Sequence, residues 1–557
     1  MEKRIFIAVL ISLAVLWTWA ALAPKLFPDL VKTKPPVVTQ TTPRSASTTT
    51  APKTTTSATK TPATRTAPAA VPVPITPINA QAIKLTTVET NDYIAIFSNR
   101  GGELISFKLK KYKANPTKKD DPTLVELVKQ REPSRTDFPF AIEAADPNLT
   151  AANGALFAVE DQTSGSGEVR GSGEIQYRYA ANGILVTKTF HFTNEYPFTF
   201  AVAVTPVTPY RVVIGPGIRT LGPDERDNQF TVTGNGVVQR DESLKVINRE
   251  KADALNVFPG VQYIGIEDNY FLSALRPSKA GEGILRRIEQ GVDKAKRREL
   301  YAGVNAAADG TVAGSAFFGP KETSLLDRYG YEKTLQFGMF GVIARFLLGV
   351  LVWLNQATHN YGWAIIVLTI LIKIVLYPLQ HKSIVSMKKM QRVQPKVELI
   401  KQKYKKARTD ADQRQKMNVE MMKLYQQEGI NPMGGCLPIV LQLPILWGFY
   451  GLLSRAIELR GAPFILWIQD LSAKDPYYIT PILMTATMFI QQAITPTTAD
   501  PVQKRMFMIM PLVFGWIFKE FPSGLVLYWL VQNILTIVQQ LIMNRYWKDH
   551  PAELQTA

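Results

Sequence analysis

The spacing of apolar residues changes character three times along the chain. Residues 5–23 form one apolar run, residues 31–80 have no apolar pattern, residues 80–330 alternate, and residues 335–546 return to long apolar runs. Alternation with a period of two marks half-buried strands, and apolar runs near twenty residues mark helices able to span a bilayer. The alternating part carries two hairpin signals: "YIAIFSNRGGELISFKLKKY" (93–112) turns at Gly101-Gly102, and "EIQYRYAANGILVTKTFHFTN" turns at Asn182-Gly183. Asn-Gly is the strongest short hairpin signal, because both central residues of the favoured turn need positive φ. "PFTFAVAVTPV" and "VQYIGIEDNYFLSALRP" continue the alternation, and no long helical period appears before residue 320. This pattern predicts an antiparallel β-sandwich over 81–330. His191 lies on one of its alternating strands and reads as a structural residue.

The first run, Ile5 to Ala23, follows Lys3 and Arg4. Ala21-Leu22-Ala23 resembles a signal-peptide cleavage site, but the run exceeds the usual core of roughly 7 to 15 residues. Pro24 would also follow the cut. Residues 1–30 therefore read as an uncleaved transmembrane anchor with a cytoplasmic N-terminus. Residues 31–80, rich in Thr, Pro, Ala, Ser and Lys, read as a disordered linker.

The later runs are Leu335 to Leu354, Tyr361 to Leu379, Gly434 to Leu453, Tyr477 to Ile494, Met506 to Phe518 and Leu525 to Tyr546. Charge orders them. Between His381 and Ile430 stand 13 Lys or Arg and 5 Asp or Glu, which is +8 of the chain's formal +18. Loops with such an excess stay cytoplasmic. One span must then separate the β-rich domain from this loop, and Tyr361 to Leu379 fits it. Leu335 to Leu354 carries Arg345 in its middle and is followed by "NQATHN". It is expected to lie along the outer interface. The result is a polytopic α-helical membrane protein with six transmembrane helices and both termini cytoplasmic. Its parts are an interfacial amphipathic helix with its connection (331–360), a second span (361–379), a cytoplasmic basic helical hairpin (380–433), spans three to six (434–546) and a cytoplasmic tail (547–557). Met506 to Phe518 offers only 13 residues, about 20 Å of helix against a hydrocarbon core of about 30 Å, so a thinned bilayer is expected around it.

The hairpin exceeds what orientation requires. Val393, Val397 and Ile400 mark one apolar stripe, and Met417, Met421, Leu424 and Tyr425 another. Lys388, Lys389, Arg392, Lys401, Lys405 and Lys406 are its candidate recruitment residues. They suit anionic lipid headgroups, ribosomal RNA or acidic targeting factors. Cys436, the one cysteine, excludes an intramolecular disulfide framework. There is no Gly-rich phosphate loop, no HExxH, no paired cysteine motif and no nucleophile with a placed base, so no enzyme and no cofactor is expected.

Lys373 interrupts "VLTILIKIVLYP" (367–378). A charge at bilayer depth costs about 2.5 to 3.5 kcal/mol on insertion scales. Two readings are open. The side chain could snorkel to the cytoplasmic interface, about 12 Å of helix away. Alternatively it lines a wet cavity with Thr369 on its own helix face and Gln442, Thr485, Thr487, Gln491, Gln492, Tyr528, Gln532, Asn533 and Thr536 from other spans.

"INPMGGCLPIVLQLPILWGFYGLL", "LRGAPFILWIQDLSAKDPYYITPILM", "ITPTTADP" and "FPSGLVLYWLVQNILTIVQQ" resemble the bacterial YidC membrane protein insertases. The resemblance is specific over 355–548 and looser over 80–330, where Gram-negative members carry a periplasmic β-sandwich. It implies an inner-membrane insertase and chaperone whose five-helix core encloses a hydrophilic groove open to cytoplasm and lipid. Nascent membrane proteins, the Sec translocon, the ribosome and targeting factors are the implied partners. Polar-groove transport and a membrane-tethered periplasmic binding module are the alternative readings. The resemblance matches Lys373, Thr369 and Trp529 to the groove, and with the polar residues of the other spans the candidate substrate-binding groove residues are Lys373, Thr369, Gln442, Gln491, Tyr528, Trp529, Gln532 and Asn533. Lys373 stands at a position usually held by arginine, and Trp529 where an aromatic contacts the substrate helix. Lysine is a departure, because it does not offer arginine's planar fork or its invariant charge.

Overall fold

The computed structural model describes residues 76–118, 120–130, 137–161, 167–222, 225, 231–290, 297–405, 410–430, 437–495 and 501–549. The expected anchor, nearly all of the linker, and Lys406 lie outside them.

The alternation is realised as strands. Ile184–Phe192 buries Ile184, Val186, Lys188, Phe190 and Phe192, and turns the intervening residues toward the surface. It pairs with Gly173–Ala181 around Asn182 (φ 51°) and Gly183 (φ 76°), the positive angles that the tight turn requires. Tyr93–Ser98 and Glu103–Lys113 pair likewise around Gly101 and Gly102.

Three sheets are present among the described residues. One orders Leu124–Glu126, Glu103–Lys113, Tyr93–Ser98, Leu85–Glu89 and Glu168–Arg170. A nine-stranded sheet orders Ser243–Ile247, Asn235–Arg240, Tyr263–Glu267, Phe271–Pro277, Thr311–Pro320, Phe198–Thr205, Ile184–Phe192, Gly173–Ala181 and Ala158–Asp161. The third orders Leu255–Val261, Gly281–Gln290, Arg297–Asn305, Tyr210–Ile214 and Ala141–Ala144. Leu85–Glu89 and Glu168–Arg170 run parallel, against the otherwise antiparallel pattern. Rings join the first sheet to the second: Phe97 lies 4.7 Å from Phe190, and Phe107 lies 5.4 Å from Phe318. The third sheet approaches the second so closely that a Cβ on Gly236 would meet Leu285 Cδ1 at 2.4 Å.

From residue 323 onward the described residues form eight α-helices: α1 Thr323–Tyr329, α2 Gly341–Thr358, α3 Tyr361–Lys403, α4 Ala411–Gln427, α5 Leu437–Leu453, α6 Ile479–Ile494, α7 Pro501–Phe518 and α8 Ser523–Asp549. Among the described residues α2, α3 and α8 are long and apolar enough to cross a membrane, and Leu441–Leu453, Ile479–Ile494 and Phe507–Phe518 are shorter apolar helices. α2 buries Ala344, Leu347, Leu348, Leu351 and Leu354, and turns Val342, Phe346 and Trp353 outward. Arg345 donates to the carbonyls of Glu332 and Leu335, both at 3.2 Å. α3 starts at Asn360, whose side chain caps the amides of Gly362 and Trp363. It runs 43 residues without a break, about 65 Å, so the second span and the first hairpin arm are one helix. α7 begins at Pro501 and holds 18 residues. That is about 27 Å of helix, but Lys504 and Arg505 stand in its first turns and its apolar part is Phe507–Phe518, so the apolar length stays short of the hydrocarbon core.

The β-rich domain grips the helical part through buried charge. Arg460, in the loop after α5, donates to Glu225 at 2.9 Å and to the carbonyls of Lys113 and Ala114 at 2.9 and 3.2 Å. Arg219 donates to Asp268 and Glu225 and lies over the Phe271 ring. Burial alone would raise the Glu225 carboxyl, but Arg219 and Arg460 overcome it and hold the group at about 2. Asn269 donates to the Ser454 carbonyl at 3.0 Å, and Thr323 donates to Glu458 from both its amide and its hydroxyl. These bonds fix the loop between α5 and α6, and with it the spacing of the helices it joins.

Candidate functional site

α3 and α8 run parallel, side by side. Lys373 Nζ donates to Thr536 Oγ1 at 2.9 Å. Further along both helices, the rings of His381 and Trp547 lie 6.4 Å apart, and Ile384 packs with Met543 and Trp547. Lys373 is 8% exposed, so its side chain lies in the helix seam. Thr536 gives its own hydroxyl proton to the Gln532 carbonyl at 2.7 Å, and its lone pairs face the ammonium. Among the described residues Lys373 meets no carboxylate. An ammonium has three N–H donors and no acceptor, so this one keeps donors for another group.

The other expected residues fall into smaller sets. Thr369 is fully buried and donates back to the Ile365 carbonyl at 2.7 Å. Gln442 donates to the hydroxyl of Tyr528, whose ring stacks on Phe449 at 4.3 Å. Asn533 bridges to α6, donating to Thr487 Oγ1 at 3.2 Å and to the Met484 carbonyl at 3.4 Å. Gln532 sits one turn before Thr536, and its Oε1 is buried without a protein partner among the described residues. Trp529 packs toward α7, 5.2 Å from Phe518 and 6.0 Å from Phe514. Gln491 offers its carbonyl to Thr495 and is not joined to Lys373 or Tyr528. Lys373, Thr536 and Gln532 therefore meet at one seam, whereas Gln442 with Tyr528, and Asn533 with Thr487, tie neighbouring helices together.

In the hairpin, Val393, Val397 and Ile430 form a small core with Met390, Met421, Leu424 and Tyr425. Ile400 and Met417 stand outside this cluster. Lys403 pairs with Glu420 and Lys396 with Glu428, joining α3 to α4. Lys388 lies 6.0 Å from the Trp547 ring centroid. Arg392, Lys401 and Lys405 are exposed and Lys389 is half-exposed, so the hairpin presents cations on its surface. Sequence reasoning missed the Arg219–Glu225–Arg460 network, because pairing across 235 residues leaves no local signal. It also missed Gln539 and Gln540, which helical spacing from Thr536 could have found.

The fold and this seam define a helical membrane protein with a large β-rich domain outside the helices. A family model described as YidC periplasmic domain matches residues 85–350, and one described as 60Kd inner membrane protein matches residues 353–550. The membrane protein insertase YidC of Geobacter metallireducens is 35% identical over 558 residues, covering 98% of each chain. That of Citrifermentans bemidjiense is 36% identical over 570 residues, covering 99% of this chain and 100% of its own. A solved structure described as active YidC insertase with the first transmembrane domain resolved is 19% identical, covers 84% of this chain and 94% of its own, and has a TM-score of 0.37. The chain belongs to the YidC family of membrane protein insertases, with a periplasmic domain joined to a helical core. Members of this family are insertases, not enzymes.

Proposed function

We propose that this protein inserts nascent membrane proteins through a hydrophilic groove in its helical core, with Lys373 as the transient attractor of acidic segments. The observation that carries the reading is the buried Lys373 ammonium, held by one neutral hydroxyl and facing no carboxylate among the described residues. A polar cavity shortens the path that a translocating segment crosses in hydrocarbon, and an unneutralised cation there favours segments of opposite sign. Thr369, Gln442, Gln491, Tyr528, Trp529, Gln532 and Asn533 line the groove once the helices that Gln442–Tyr528 and Asn533–Thr487 tie together part, opening it to the cytoplasm and to lipid. The substrate's apolar helix then leaves sideways into the bilayer. No nucleotide enters the mechanism.

In this reading the chain sits in the bacterial inner membrane with six spans, both termini cytoplasmic and residues 81–330 forming a periplasmic sandwich. α2 lies in the outer interface, supported by its outward Val342, Phe346 and Trp353. The basic hairpin recruits the ribosome, targeting factors or anionic lipid, and the Sec translocon is a further partner. The test is insertion into vesicles reconstituted with the full chain. Lys373→Glu should lower insertion of substrates with acidic translocated segments at least tenfold, and Lys373→Arg should retain most of it. Equal activity of the Glu variant on those substrates would overturn the attraction.

A further inference from the structure

Below the Lys373–Thr536 bond the α3–α8 seam holds a second set of polar groups. At about 100° per residue, Gln532, Gln539, Gln540, Met543 and Trp547 all project within about 60° of Thr536. Gln539 is 8% exposed and Gln540 is 2% exposed. Neither the amide nitrogen nor the oxygen of Gln539 has a protein partner among the described residues. The same holds for Gln540 Nε2, Asn544 Oδ1 and His381 Nδ1. The stretch is bounded on one side by the Lys373–Thr536 bond and on the other by the apolar contact of Ile384, Met543 and Trp547.

A buried amide lacking both kinds of partner, as Gln539 does, or its donor's partner, as Gln540 does, destabilises a packed interface, which methionine or leucine would fill better. We propose that these amides form a binding site for extended polypeptide backbone. The inference rests on the reading that substrate passes along this seam. A polar segment entering hydrocarbon carries unmatched N–H and C=O groups, and those groups have few partners there. A carboxamide offers one donor and one acceptor side, matching a peptide group whatever its side chain. Gln539 and Gln540 therefore act on segments of any sequence, and Lys373 adds the preference for acidic ones.

The experiment uses the full chain in vesicles carrying Gln539→Met and Gln540→Met together. The melting temperature should hold or rise, because unpaired buried amides are replaced by apolar groups of similar volume. Insertion of a substrate with a neutral polar translocated segment should fall at least fivefold, and a substrate without such a segment should insert normally. Unchanged insertion of the neutral segment would overturn the proposal and leave the seam to water alone. A lowered melting temperature would overturn it too, showing that the amides merely hold α3 to α8. Photocrosslinkers at 369, 539 and 540 separate the two readings on stalled chains bearing that neutral segment. Crosslinks from all three positions are expected. Crosslinks from 369 alone overturn the backbone site and leave the groove standing, and none from any position overturns both.

Discussion

In the periplasmic domain Lys188 is wholly buried, and its ammonium donates to the carbonyls of Gly101 at 2.6 Å and Phe140 at 2.7 Å. The Phe157 ring lies 5.7 Å away. In the helical core Lys373 is almost as buried, yet among the described residues a single threonine hydroxyl meets it. Gly101 and Phe140 both have left-handed backbone, with φ of 72° and 73°; glycine takes that conformation freely, but it costs phenylalanine free energy, so Lys188 ties a strained turn to an unstrained one. Lys188, with two carbonyls and a ring on its ammonium, serves the fold; Lys373, with one hydroxyl, keeps two of its three donors for a ligand. The same contrast holds more widely. The periplasmic charges Arg219, Glu225, Asp268, Lys321 and Glu267 are paired, whereas the α3–α8 seam keeps several buried amide atoms without protein partners among the described residues.

The strongest way to break this contrast is Arg219→Met. It leaves Asp268, whose side chain is 0% exposed, without its guanidinium. Removing one member of a buried pair typically costs about 3–5 kcal/mol. Thermal or denaturant unfolding of the full chain in detergent should show that loss. A change under about 1 kcal/mol would mean that the network does not hold the domain.

Lys188→Met should cost less, about 2 kcal/mol, because two buried carbonyls lose their donor while the cost of burying a charge disappears. The same substitution at Lys373 should leave the melting temperature unchanged or raise it. Titration sharpens the difference. Burial lowers the Lys188 ammonium to about 8, so from pH 8 to its unfolded value near 10.5 the folded chain binds fewer protons than the unfolded chain. Stability conferred by the neutral form therefore grows as pH rises through that window, and the penalty is complete below pH 8. Wild type should gain on Lys188→Met between pH 8 and 10. Parallel pH profiles would show that Lys188 does not titrate in the fold.

Much of this was legible in the chain, for identifiable reasons. Asn182-Gly183 fixed a hairpin because few residues tolerate two successive positive φ angles, and the alternation "ILVTKTFHF" placed Lys188 on the inward face beside Val186 and Phe190. Lys373 stood out because a cation within an apolar run has few explanations. The roles of its neighbours were not legible. Spacing put Thr369 on its face, but the partner is Thr536, 163 residues away. Composition marked Gln442, Tyr528 and Asn533 as polar without showing that Gln442 meets Tyr528, and Asn533 meets Thr487, across helices. The boundary drawn after Leu379 failed to show that α3 continues to Lys403, because charge changes there while helical propensity does not.

A small expected effect on stability is the most informative about the core. Thr536→Val keeps the branched shape and removes the acceptor that Lys373 uses. Its hydroxyl also donates to the Gln532 carbonyl within α8, a bond whose loss costs little since that carbonyl is already part of the helix. Unfolding should shift by less than about 1.5 kcal/mol, the scale of one hydrogen bond. Insertion should respond differently. With its anchor gone the ammonium samples more rotamers, and a lysine side chain has much rotamer freedom to lose again when it meets a carboxylate. Substrates with acidic translocated segments should insert severalfold more slowly, neutral ones as before, and Thr536→Ser should restore the acidic class. A Val variant that slows both classes equally would assign Thr536 to packing, and Lys373 would then need no positioning partner.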